Sequence, residues 1–157
     1  MKTLGQMRIG IVCSIVTAAL VSACGVTEPP EGFSVAWMVN GCSPVDGPAV
    51  DLFLGEVVPV DVSSPTYPHL RISIDASVEA LSGNLFTSQD NSASIFVAQR
   101  CVVGNECTSA TDVTVEFDVA EDSAVEHTGY VQVTLSDGSS IEGSFRATVH
   151  SLLVLCG

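Results

Sequence analysis

The groups able to do chemistry in this 157-residue chain are six cysteines, three histidines and 18 carboxylates, against only five basic side chains. Cys24 directly follows two small residues, Ser22 and Ala23. Cys42, Cys101, Cys107 and Cys156 form an even set, which in an exported chain points to disulfides with three connectivities. Cys101 and Cys107 enclose Val102-Val103-Gly104-Asn105-Glu106, a short loop with a Gly-Asn turn. Local closure pairs Cys101 with Cys107 and leaves Cys42 for Cys156. In the chain-entropy model a loop near 100 residues contributes about 4.7 kcal/mol, and a seven-residue loop roughly half that.

Other chemistries fit less well. The Cys-x5-Cys spacing is longer than a zinc knuckle requires, and no paired-histidine motif accompanies it. No Cys-x-x-Cys occurs, and an exported free thiol oxidises. Neither Gly-x-Ser-x-Gly nor His-Glu-x-x-His is present, and residue type alone does not make a triad of Ser139, Ser140 and His150. His69 follows Pro68 in a loop, His127 opens a strand, and His150 falls on a polar strand face; all three read as surface histidines. No catalytic residue, metal or cofactor is therefore assigned. One sharper alternative is calcium: Asp112, Glu116 and Asp118 share a strand face, and Glu121 and Asp122 follow in the next loop. Calcium takes about 6–8 oxygen ligands from a folded loop. The Asp-x-[Asp/Asn]-x-[Asp/Asn]-Gly pattern is absent, however, and a charged strand face in water is ordinary.

The elements that must position these groups begin with a leader. Lys2 and Arg8 precede an apolar run from Ile9 to Val21, shorter than the roughly 18 residues of a spanning helix. Val21-Ser22-Ala23-Cys24 resembles the lipobox of bacterial lipoproteins. The resemblance implies that the thiol of Cys24 receives diacylglycerol, that cleavage before it removes 1–23, and that its new amino group is acylated. Gly25 in place of aspartate implies the outer rather than the inner membrane, by resemblance to Gram-negative lipoproteins. One acyl chain anchors only reversibly, whereas two or three hold a protein at a bilayer.

Cleavage removes both Lys2 and Arg8, leaving three arginines against 18 acids, a net charge of −15. Such a body cannot replace phosphate counterions, which excludes general nucleic-acid binding. An anionic leaflet also repels it, so the acyl group must supply the membrane affinity. Residues 24–32 form a lipidated cysteine and a short polar tether with two prolines. Its eight residues after the cysteine reach about 25–30 Å when extended.

From residue 33 to 157 the sequence alternates with a period of two. Phe33, Val35, Trp37 and Val39 form one row, Leu70, Ile72 and Ile74 another, and Val113, Val115, Phe117 and Val119 the clearest. Val131, Val133 and Leu135 lead into Ser136-Asp137-Gly138-Ser139, a hairpin signal. Ile141, Gly143, Phe145, Ala147 and Val149 return inward, and Leu152 to Leu155 could complete a central strand. Prolines at 44, 48, 59, 65 and 68 break 43–69 into loops with an edge strand near Glu56 to Val62. Ala76 to Leu85 could hold one short helical turn. The pattern predicts an all-β fold, a single antiparallel β-sandwich of about seven or eight strands.

The segment Thr128 to Ala147, followed by Cys156, resembles the C-terminal hairpin of small β-rich envelope lipoproteins. That implies a fold and an envelope location, without a function. The reading that follows is a non-enzymatic envelope lipoprotein, bound to the bilayer through acylated Cys24 and available to an envelope protein partner. The alternatives are a ligand- or carbohydrate-binding sandwich, calcium-assisted or not, and an exported hydrolase. Sugar platforms use exposed aromatics; Trp37 has the pattern of core, which leaves Tyr67 and Tyr130.

Overall fold

The computed structural model describes residues 29–45, 47–89, 95–104 and 106–152. The expected signal 1–23, Cys24, the first part of the tether and Cys156 lie outside them. Eight strands follow in order: β1 (Val35–Cys42), β2 (Pro48–Gly55), β3 (His69–Ile74), β4 (Leu85–Thr87), β5 (Ile95–Val103), β6 (Glu106–Phe117), β7 (Glu126–Leu135) and β8 (Ser140–His150). A single 3-10 turn, Val78–Ala80, occupies the stretch where one helical turn is expected.

The protein is all-β, as the alternation predicts, but its sheet closes on itself. Seven strands run in the cyclic order β6-β5-β3-β2-β1-β8-β7 and back to β6, with β4 added on β6. Every contact in that ring is antiparallel except β1 with β8, which is parallel. The expected antiparallel sandwich is thereby corrected to a closed mixed barrel. The physical reason is that one apolar row per strand serves both architectures equally. The choice rests on which distant strands pair, and a parallel contact between the first and last strands leaves no local trace.

The interior is filled by the rows that alternation identifies. Leu70, Ile72 and Ile74 of β3, Val113, Val115 and Phe117 of β6, and Val131, Val133 and Leu135 of β7 are all buried in one cluster. Phe117 sits edge-on to Phe86 and Phe145, with ring centroids 5.8 and 5.4 Å apart, the arrangement aromatic quadrupoles favour. At Gly129 a Cβ would lie 2.1 Å from the Glu116 carbonyl oxygen and 2.9 Å from the Phe145 ring. Only glycine lets β6, β7 and that ring approach so closely.

Three local expectations change. Pro48–Gly55 is a strand inside the ring, and Glu56 to Val62 is loop. Pro48 stands at the strand's first position, where a missing N–H is tolerated, and both faces of Ala49-Val50-Asp51-Leu52-Phe53-Leu54 are covered. The β1 row also splits: Phe33 joins the interior, while Trp37 and Val39 form a second cluster with Phe53. Val35 and Val62 pack against that cluster, so the proline-rich loop covers this side of the sheet. Ala36 and Met38 point into the barrel in their place. Val119 is 84% exposed because β6 ends at Phe117; β8 ends at His150, and of the expected strand at 152–155 only Leu152 is described. Residues 153–155 lie outside the described residues.

Candidate functional site

The predicted local bridge is present. Cys101 of β5 and Cys107 of β6 are opposed in register, with Cα atoms 4.0 Å apart, and are joined by a disulfide. Cys42 stands at the exposed end of β1, and its expected partner Cys156 lies outside the described residues.

The acidic candidates for calcium are dispersed. Asp112 accepts a hydrogen bond from Ser88 Oγ at 3.4 Å, and Asp118 accepts one from Thr128 Oγ1 at 2.7 Å. Asp122 accepts from the Ala124 N–H at 3.1 Å, while Glu116 and Glu121 are exposed. Four strand residues span about 13 Å, so Asp112 and Glu116 cannot share an ion whose ligands lie about 2.3–2.6 Å away. Among the described residues no group of three His, Cys, Asp or Glu could hold a metal.

Two of the three histidines are not surface groups. His69 and His127 are buried, and His150 is half-buried. The Nδ1–H of His69 donates to the Thr66 carbonyl and the Nε2–H of His127 to the Ser123 carbonyl, each at 3.0 Å. Burial holds both imidazoles below their ordinary value of 6.5, with the carbonyl contacts opposing and Arg71 adding to the effect at His69. Sequence could have warned of His127, since it shares parity with Val131 and Val133 on the inward row.

A second arrangement was hidden in sequence. Asp51 and Arg71 are each the one charge within an apolar strand, and the β2–β3 register sets them diagonally on the outer face. Arg71 donates to Asp51 from Nε and Nη2 at 2.9–3.2 Å, and Ser73 Oγ also donates to Asp51. The guanidinium lies 5.9 Å from the centre of the Phe53 ring, which stacks on Trp37. This closes an ion pair beside a cavity of about 350 Å³ lined by Tyr67, His69, Gln99 and the disulfide.

The larger concavity, about 720 Å³, lies where β1 meets β8. Its apolar lining includes Phe33, Leu54, Val58 and Phe145, and Pro29 and Pro30 of the entering chain and Ser144, Arg146 and Thr148 of β8 also line it. Arg146 Nη1 donates to Glu126 Oε1 at 2.8 Å, and Asp118 lies on the same lining. The lining holds carboxylates, hydroxyls, one guanidinium and two aromatic rings. That set recognises a ligand by hydrogen bonds, charge and apolar contact.

The chain matches no family model, no curated protein and no solved structure.

Proposed function

We propose that this chain is an exported, lipid-anchored envelope lipoprotein whose barrel acts as a non-enzymatic interaction or structural module at the outer membrane. One observation carries the reading: a basic start, an apolar run and Val21-Ser22-Ala23-Cys24 fall in register at the N-terminus. The Cys101–Cys107 disulfide supports it, because such bridges persist in oxidising compartments. So does the excess of 18 acids over three arginines after residue 23, which keeps an exported body soluble while acyl chains supply the anchor. In this reading Cys42 pairs with Cys156 and ties the last residues to the end of β1.

Recovery of the chain from its own envelope, followed by intact-mass measurement, tests the proposal. The expected product lacks residues 1–23 and carries diacylglycerol and an N-acyl group on Cys24, and Cys24→Ala abolishes membrane retention. A cytosolic product with its leader intact, or an unmodified Cys24, overturns it. Non-reducing peptide mapping then reads the expected Cys42–Cys156 linkage directly.

A further inference from the structure

We propose that the open edge of β8 from Ser140 to Arg146 docks an extended, lysine- or arginine-bearing segment of a partner protein, which adds to the barrel as a further strand. The inference deepens the interaction-module reading by naming its partner's chemistry. It begins with an asymmetry in pairing. On one side β8 pairs with β7 from Thr148 to Ser140. On the other, β1 covers only Ala147 to His150, and no described strand lies beside Ser140–Arg146. Roughly half of those residues turn their N–H and C=O away from β7, because neighbours in an antiparallel strand alternate in direction.

The sequence before β1 explains why the slot is open. Proline has no N–H to contribute, and Pro29 and Pro30 stand in succession. Phe33 N–H donates to the Pro30 carbonyl at 2.9 Å around Gly32, whose φ of +85° is a left-handed conformation suited to glycine. Ser34 N–H then donates to Gly55 of β2, away from β8. The chain therefore turns before it can extend the parallel ladder, and the 720 Å³ groove lies between Ser34–Ala36 and Ser144–Arg146. Seven residues of edge span about 23 Å, the length of an ordinary strand.

Charge selects the occupant. On the groove Glu126 and Arg146 neutralise each other as an ion pair, which leaves Asp118 on its lining, Glu142 on the outer face of β8 and Glu31 in the bordering turn, with no second cation among the described lining residues. A second copy would set its own Glu142, Asp118 and Glu31 against these carboxylates, and an anionic leaflet would meet the same repulsion. A basic extended segment meets the free backbone groups and the carboxylates together, which is strand addition at a sheet edge.

The test uses the lipidated mature chain in neutral detergent, with its mass at Cys24 recorded on the same sample. A fluorescent heptapeptide alternating lysine and valine is the probe. One control replaces each lysine with glutamate, and another carries N-methyl groups on alternate amides. The lysine peptide is expected to bind with a Kd of roughly 10–100 µM and to slow amide exchange within 140–146. Both controls and Glu142→Lys are expected to weaken binding about tenfold or more, with the melting temperature of Glu142→Lys unchanged. The proposal is overturned by any of three results: no binding at about 1 mM peptide, equal binding of the N-methylated control, or protection confined to residues outside 140–146. Because Cys24 is assayed separately, an unmodified cysteine with intact peptide binding would sink the anchor reading alone.

Discussion

The two edges of β8 meet the rest of the molecule on unequal terms. Against β7 the strand runs an unbroken antiparallel ladder from Glu126–Thr148 to Thr134–Ser140. Against β1 it has four parallel partners, Ala36–Ala147 to Val39–His150, and beyond them a groove with no further strand partner among the described residues. The first edge forms through a hairpin, with neighbours close in sequence. The second requires residues more than 100 apart to meet, so it is the seam where the barrel closes. A ladder made locally can be complete, whereas one made by closure ends where the entering chain turns away.

The largest effect is expected on the continuous side. Gly129→Ala places a methyl group within 2.1 Å of the Glu116 carbonyl oxygen, and overpacking of that kind costs about 3 kcal/mol. Urea unfolding should show the loss as a lowered midpoint, and an unchanged midpoint would mean β6 and β7 are less closely set than described. On the closing side Ala36 and Ala147 face each other and are both buried. Ala147→Val should cost about 1–2 kcal/mol, less than Gly129→Ala, whose methyl group meets fixed backbone. If it cost more, the seam would be the tighter of the two edges.

The disulfide gives a comparable test of the ring at β5–β6. Replacing Cys101 and Cys107 together by serine should lower stability by about 2 kcal/mol, the chain-entropy value for so short a loop.

Acid should act through the buried histidines first. A base whose folded pKa is lowered binds fewer protons folded than unfolded, so its contribution is complete above the unfolded value and falls away below it. For His69 and His127 that loss begins as pH drops through about 6.5. Asp61 and Asp137, held down by the hydroxyl and backbone N–H of Ser63 and Ser139, act only below about 3.8. Thermal melts from pH 7.5 to 5 should therefore show falling stability, with a shallower slope in His127→Phe. The smallest effect is expected at Tyr130, on the outward row of β7 and 38% exposed: Tyr130→Ala should change stability by about 0.5 kcal/mol or less.

The same asymmetry separates what sequence discloses from what it hides. Asp137-Gly138 and the flanking valine rows declare the β7–β8 hairpin because both turn and alternation are local. The Cys101–Cys107 bridge is local in the same sense. Trp37 and Phe53 have the composition of a core, yet they lie on the outer face because the 56–68 loop folds back over them. That cover comes from a proline-rich segment whose own sequence says only loop. Asp51 and Arg71 show the same limit, twenty residues apart and joined only by register. The groove is hidden more deeply, since it consists of a strand that stops, and no residue type marks an unpaired edge.

Amide hydrogen exchange resolved along β8 tests this account most directly. Unequal edges predict that slow and fast exchange alternate from Ser140 to Arg146, with the β7-facing amides protected and their neighbours open, and that Ala147 to Val149 are protected on both sides. Uniform protection across Ser140–Arg146 in the free protein would contradict it, for the groove would then already be filled by a strand.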